Sequence, residues 1–469
     1  MIPLMASAIA QIVGGVLYGS DIEVTQPPVL NSNLATPGSM CLALVGEKVD
    51  GHLFVGDAFV HGAVLALVSR QVEERCIVVP DVTKALGLLA MHIRDQLPKL
   101  IVIGITGSQG KTTTKDLLTH LLSSVASTIA PIGNFNNELG VPLTLLQCTT
   151  ETKYCILEMG ARHEGDIRAL CQISRPNIGV VLKVGSAHLG EFGSVEAIAR
   201  TKSELIASLD PDAIAILGLY DSFTPDMARL HEGKIIYFGE TSKAQVRAAD
   251  IEVREGRAHF DLVTPQGRAA VGLRIVGLHQ ISNALAVAAI GSALALPLDL
   301  IAGSLSTAQM LSKWRMEIHE LDDLLLINDA YNASPESMEA ALRVLALYAQ
   351  ERGGQSWAFL GKMHELGESS TQEHGDIGTL ALELGIDHLV CVGAPEYGLR
   401  LRDQHVITVH VCDNMLSAQV LARNISRGDV ILVKASRSEK LEELASSIER
   451  QWQVQIEMQA EELKRESDS

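Results

Sequence analysis

The residues best suited to chemistry sit in one short stretch, GITGSQGKTTTKD, residues 104 to 116. It follows the apolar run KLIVI and precedes LLTHLLSSV, which places it between a strand and a helix. Gly107 and Gly110 let the backbone curl so that several N–H groups, among them those of Ser108, Gln109 and Thr113, point at one anion. The helix that begins there adds its positive end. Lys111 is long enough to reach outer phosphates, and the Thr112 hydroxyl is a ligand type for Mg²⁺. The strict G-x-x-x-x-G-K-[ST] spacing is not met, because Ile105 stands at the first glycine position, so this is a variant phosphate loop. The plain alternative is a glycine-rich connector. Gly-Lys-Thr-Thr at a helix start favours nucleotide binding.

A second strand-like run ends in ILEMG, where Glu158 closes the strand. A carboxylate there suits the metal side of a phosphate site, and its bland reading is an exposed strand-end acid. A third run, NIGVVLKV, leads into GSAHLGEFG with His188 just past the strand.

The elements that must carry these groups follow a rhythm. Residues 1 to 98 alternate short apolar runs with turns and then show the helical pattern ALGLLAMHIRDQL, a small α/β unit. From residue 99 strand and helix patterns alternate, which argues for a doubly wound, mostly parallel sheet covered on both faces. The runs KIIYFG, IEVREG, RAHFDLV and GLRIVGL, between residues 235 and 278, read as antiparallel. The apolar stretch 284 to 298, ALAVAAIGSALALPL, falls short of the ~20 residues needed to span a bilayer and reads as a buried core helix. From residue 313 the alternation restarts as a second, Rossmann-like α/β unit. The expected domains are 1–98, 99–312 and 313–469.

The chain has 469 residues, 47% of them hydrophobic, and a formal charge of −18. That acidity argues against nonspecific nucleic-acid binding, which uses a basic footprint, but not against nucleotides held locally. The seven cysteines include no C-x-x-C pair and lie in apolar runs, as expected of reduced, buried thiols in a cytoplasm. The first residues lack a basic n-region, so neither a signal peptide nor membrane insertion is expected.

TGSQGKTTTKD, GNFNNELGVPLTLL, LEMGARHEGDI, GSAHLGEFGS, ARTKSELI and NDAYNASPESM occur in this order over most of the chain. Together they resemble the Mur ligase family of bacterial cell-wall synthesis. GNFNNELGVPLTLL and NDAYNASPESM are most similar to the branch that joins D-alanyl-D-alanine to a UDP-N-acetylmuramoyl-tripeptide. The resemblance implies an ATP-dependent ligase that activates a carboxylate as an acyl phosphate, with Lys111 and two Mg²⁺ ions as counter-charges. It implies one ion at Thr112 and Glu158 and the second at His188. By the same resemblance Lys202 of ARTKSELI carries a carbamate that supports the second ion, a chemistry that needs a depressed lysine pKa. Without the resemblance Lys202 reads as a solvated lysine on an amphipathic helix.

The resemblance further gives Asn283 of LHQISN to adenine, while its local reading is a helix N-cap. Arg315 of KWRMEI would reach phosphate, and Asp329 would hold ribose or orient Arg315. Tyr331 and Asn332 lie near nucleotide and dipeptide. In the same segment Ser334 and Pro335 read as N-cap and first residue of a helix. Asn134, Asn136 and Asn137 of GNFNNELG are expected to contact the nucleotide-sugar peptide; their plain reading is a polar turn. Ser32 belongs to the segment that meets the uridine nucleotide, and a monomer is implied.

The chain departs from the family pattern in several places. Asn31-Ser32-Asn33 replaces Asp-Ser-Arg, which removes a positive fork for a diphosphate. Ser203 and Ala435 replace glycines, Gln280 an asparagine, and Lys362 an aspartate; the last and Ala435 lie on the expected dipeptide side. Two other readings stay open: a sister Mur or folylpolyglutamate-type ligase, and a nucleotide-binding protein without ligase activity.

Overall fold

The computed structural model describes residues 1–131, 133, 135–186, 189–309, 312–401 and 406–467, with side chains to residue 457. By packing, the chain forms two compact units. One comprises Met1–Val184, Ala199–Val246 and Ala286–Ile301; the other comprises Gly185–Ile198, Arg247–Leu285 and Ala302–Ser469.

The first unit opens with helix α1 (Ala6–Val13) and a small sheet of β1 (Val16–Tyr18), β2 (Met40–Leu42), β3 (Leu65–Val68) and β4 (Cys76–Val78), in the order β1-β4-β3-β2. Helix α2 (Val82–Asp95) follows, its N-terminus capped by Asp81, whose carboxylate accepts from the Lys84 N–H. Arg94 at the end of α2 is buried and donates to the Ser174 and Leu97 carbonyls at 3.0 Å and to Asn177 Oδ1 at 3.2 Å. Asn177 in turn accepts from the Val102 N–H, so this arginine ties α2 to the start of the next strand.

That strand, β5 (Ile101–Thr106), leads into α3 (Lys111–Ser123). After β6 (Thr128–Ile129) come β7 (Tyr154–Glu158), α4 (Asp166–Ser174), β8 (Ile178–Val181), α5 (Val195–Ala207), β9 (Ile214–Gly218) and β10 (Lys234–Gly239). The strands run parallel in the order β10-β9-β8-β5-β7-β6. β5 and β7 to β9 are almost wholly buried, as a sheet covered on both faces requires. KIIYFG, expected to be antiparallel, is β10 and pairs parallel with β9 from Ile214↔Lys234 onward. Its pattern is that of any buried strand, and pairing direction is set by a partner far along the chain.

In the second unit β11 (Val246–Arg254, from Arg247 on), β12 (Arg257–Thr264) and β13 (Gly267–Val276) form the expected antiparallel meander. Glu255 and Gly256 both take positive φ at its first turn, and Tyr348 packs within 3.1 Å of where a Gly256 Cβ would stand. The apolar stretch 284–298 is not one helix. α6 (Gln280–Ala293) ends, Ala295 adopts a positive φ, and α7 (Leu298–Thr307) starts after Pro297, which cannot continue a helix. Residues 284 to 290 are fully buried, as expected of a core helix.

The C-terminal sheet runs β14-β15-β19-β16-β17-β18: β14 (Glu317–Leu321), β15 (Leu324–Asn328), β16 (Ser356–Leu360), β17 (His388–Val392), β18 (Thr408–Cys412) and β19 (Val430–Lys434). Only the β14–β15 pairing is antiparallel within this order. Helices α8 (Pro335–Arg352) and α9 (Ser370–Glu383) build one core, which includes Leu345, Ile377 and Leu432. On the other face α10 (Met415–Leu421) and α11 (Glu442–Ser467) build a second, around Phe359, Val433 and Leu444. The fold is α/β, with a doubly wound central sheet and a Rossmann-like C-terminal one. All seven cysteines are buried and free, and no helix among the described residues is long and apolar enough to cross a membrane.

Candidate active site

In the first unit the loop between β5 and α3 has the geometry that its glycines demand. Gly107 has φ +155° and Gly110 φ +83°, and a Cβ on Gly107 would come within 2.9 Å of Leu182. Gly110 caps α3, so Lys111, Thr112 and Thr113 form its first turn, where N–H groups lack helical partners. The Ser108 N–H donates to the Lys183 carbonyl at 2.9 Å, and the Lys111 ammonium folds back 2.7 Å to the Gly107 carbonyl. Gln109 lies between them, partly exposed.

Thr112 Oγ1 donates to Glu158 Oε2 at 3.0 Å, and both residues are buried. The other carboxylate oxygen, Oε1, accepts from Asn136 Nδ2 at 3.1 Å, while the Asn136 carbonyl accepts from the Gly160 N–H. The asparagine expected to meet substrate is therefore engaged with the strand-end acid. Asn137 does what its plain reading says: Oδ1 accepts from the Leu139 and Gly140 N–H groups. Thr112 and Glu158 present oxygen donors alone, the chemistry a hard divalent cation prefers. Among the described residues no group of three His, Cys, Asp or Glu side chains gathers for a metal. His188 and Asn134 lie outside the described residues.

Lys202 is no solvated lysine. It is 6% exposed, and burial, reinforced by the Lys111 ammonium, holds its pKa well below the ordinary lysine value. The neighbouring Ser203 faces outward and bonds back to the Arg200 carbonyl. Two residues on, buried Glu204 accepts from the Gly165 and Arg168 N–H groups at 2.6 and 3.0 Å, a carboxylate set on the N-terminus of α4 from another helix.

In the second unit Arg315 stacks its guanidinium 3.8 Å above the Tyr331 ring. Asp329 Oδ1 accepts from the Met316 N–H at 3.0 Å, and Oδ2 pairs with the Lys434 ammonium at 2.5 Å. Asn332 is exposed, and its carbonyl accepts from Lys434 at 2.8 Å. Ser334 caps α8 in a reciprocal capping box with Ser337, and Pro335 is the first helical residue, as the sequence predicts. Asn283 sits inside the first turn of α6, not at its cap, and donates to Gln280 Oε1 at 2.8 Å. The two departures at 362 and 435 lie on touching loops: the Ser436 N–H donates to the Lys362 carbonyl, and the Ala435 methyl lies 2.8 Å from where a Gly361 Cβ would stand. Near the start of the first unit, Ser32 begins a short 3₁₀ turn, Ser32–Leu34, capped by Asn31 Oδ1.

Lys434 escaped the sequence reading. The signal was there: a lysine ending the apolar run DVILV has to be buried with a partner.

Comparison with known proteins shows the family. Residues 105–291 match the model of the Mur ligase middle domain, and residues 314–437 that of the Mur ligase, glutamate ligase domain. A UDP-N-acetylmuramoyl-tripeptide–D-alanyl-D-alanine ligase from Mycobacterium bovis is 37% identical over 96% of this chain and 98% of its own. The chain belongs to the Mur ligase family. A crystal structure of MurF from Acinetobacter baumannii superimposes with a TM-score of 0.86 at 35% identity, covering 96% of this chain and 99% of that one. A MurF ligase from Thermotoga maritima in complex with ADP gives 0.78 at 30% identity, over 92% and 99%. For this Mur ligase the resemblance carried by the six sequence motifs holds over nearly the whole chain.

Proposed function

We propose that this chain uses ATP to join D-alanyl-D-alanine to the terminal carboxylate of a UDP-N-acetylmuramoyl-tripeptide, in peptidoglycan precursor synthesis. The observation that carries the chemistry is the phosphate loop whose Thr112 and Glu158 meet 3.0 Å apart at the start of α3. The choice of substrates is supported by the full-length likeness to ligases of that name. Bound adenine nucleotide in the Thermotoga maritima relative supports ATP as the nucleotide.

A carboxylate is a poor electrophile; phosphorylating it creates a leaving group, and the amine then displaces phosphate. In this reading the N–H groups of residues 109 to 113 hold the phosphates, the Ser108 N–H being spent on the Lys183 carbonyl, and Lys111 swings from the Gly107 carbonyl to the outer phosphate. Thr112 and Glu158 hold Mg²⁺, which supplies charge neutralisation during transfer. A second ion falls to His188 and a carbamate on Lys202, whose buried amine is suited to add CO₂. Asn283 serves adenine. Arg315 serves phosphate, and Asp329 serves ribose. Tyr331 and Asn332 serve the dipeptide side; Ser32 and Asn134 serve the uridine-linked peptide, while Asn136 steadies Glu158 and Asn137 shapes the loop. Segments 1–98, 99–312 and 313–469 divide the labour as substrate, ATP and dipeptide domains of a cytoplasmic monomer.

The test is ADP and phosphate release by pure protein with ATP, Mg²⁺, tripeptide nucleotide and D-alanyl-D-alanine, with the amide product weighed by mass spectrometry. Release that persists when either acceptor is omitted, or no amide product, rejects the reading. Running the same assay over a mixture of amines asks whether Lys362 has changed the amine accepted. Isotopically labelled bicarbonate should give a carbamate resonance that Lys202→Met abolishes.

A further inference from the structure

Lys434 has no role in the mechanism above, yet it is among the most buried large side chains of the second unit, with 2% of its side chain exposed. It ends β19 beside β15, with Val433 registered on Asn328. Its ammonium lies 2.5 Å from Asp329 Oδ2 and 2.8 Å from the Asn332 carbonyl, so one cation spans the turn that follows β15. The Asp329 N–H donates to the Val433 carbonyl, which fixes the same turn from the backbone.

The turn in turn fixes Arg315. The residue before it, Trp314, accepts through its carbonyl from the Tyr331 N–H at 3.0 Å; the residue after it, Met316, donates to Asp329 Oδ1. Tyr331 supplies the ring under the guanidinium. A lysine extended onto two acceptors, Asp329 Oδ2 and the Asn332 carbonyl, has little rotamer freedom left and pins the carboxylate in place. Each carboxylate oxygen has two lone-pair sites, so Asp329, with 13% of its side chain exposed, keeps acceptor capacity for a ligand hydroxyl.

We propose that Lys434 is a positioning residue: it holds the Asp329 carboxylate fixed for the nucleotide, and through Asp329 it holds the 314–316 segment that carries Arg315. This rests on the nucleotide role given to Asp329 and Arg315 above. Lys434 itself touches no reacting atom.

The experiment is a double-mutant cycle of the full chain: wild type, Lys434→Met, Asp329→Asn and both together, read as ADP affinity of the folded fraction and as kcat/KM for ATP. Each single change is expected to weaken both readouts roughly ten- to a hundredfold, the range for losing a charge-assisted hydrogen bond. The double variant should fall within about threefold of the worse single, because the lysine acts through the aspartate. Losses that multiply, or a Lys434→Met protein with unchanged ADP affinity, overturn the proposal. Should Lys434→Met not fold, Lys434→Gln takes its place, keeping donors without the charge. A wild type that binds ADP but forms no amide sinks the ligase reading alone, and ADP affinity still decides the role of Lys434. A wild type that binds no ADP sinks both.

Discussion

Thr112→Val keeps the shape of a buried side chain and deletes the one atom that reaches Glu158. Thr112 is 4% exposed and Glu158 2%, so no bulk water replaces the lost donor. Taking a hydrogen bond from a buried carboxylate costs about 1–3 kcal/mol of stability. At roughly 2–4 °C per kcal/mol for domains of this size, Tm should fall by about 2–12 °C. Activity should suffer more, because the same hydroxyl is the proposed ligand for Mg²⁺ beside the phosphates. A loss of about a hundredfold or more in kcat/KM for ATP is expected, equivalent to ~2.7 kcal/mol of transition-state stabilisation. Thr112→Ser restores the hydroxyl without the methyl and should recover to within about tenfold. The assay is coupled ADP release at several Mg²⁺ concentrations, with the valine variant requiring more metal. If Thr112→Val stays within about threefold of wild type, or serine is as poor as valine, the site has been read wrongly.

Gly361→Ala should destabilise the C-terminal sheet, since its Cβ would meet the Ala435 methyl at 2.8 Å; adding Ala435→Gly should restore Tm in thermal melts. Glu204→Ala removes both acceptors from the start of α4 and should cost about 1–3 kcal/mol in urea unfolding. His374 gives a pH prediction. Nδ1 donates to the Ser370 carbonyl at 2.6 Å and Nε2 accepts from the Met363 N–H at 3.0 Å, so the ring is held neutral. Burial lowers its pKa below the ordinary 6.5. The unfolded chain therefore binds the proton more readily, and stability is lost as pH falls from about 6.5 through the folded value. His374→Gln should flatten that acid limb; Tm measured between about pH 7 and about pH 5 decides it.

Much of this was readable along the chain because it is local. Glycine, lysine and threonine spacing made the phosphate loop visible, and Ser334-Pro335 made the start of α8 visible, since each depends on residues within one turn. What escaped depends on partners distant in sequence. The direction of β10 is set by β9, the engagement of Asn136 by a carboxylate 22 residues away, and the burial of Lys434 by an aspartate 105 residues earlier. The local reading of Asn283 as an N-cap fails because α6 begins at Gln280, earlier than the apolar run suggests. The segments around His188 and Asn134 were singled out by motif, which requires no geometry.

The seven enclosed sulfurs have a practical corollary. A maleimide dye added to the native molecule should find little to react with, so a single thiol placed on its surface would be labelled almost alone. Such labels could report on nucleotide binding within either unit without first stripping out any natural cysteine.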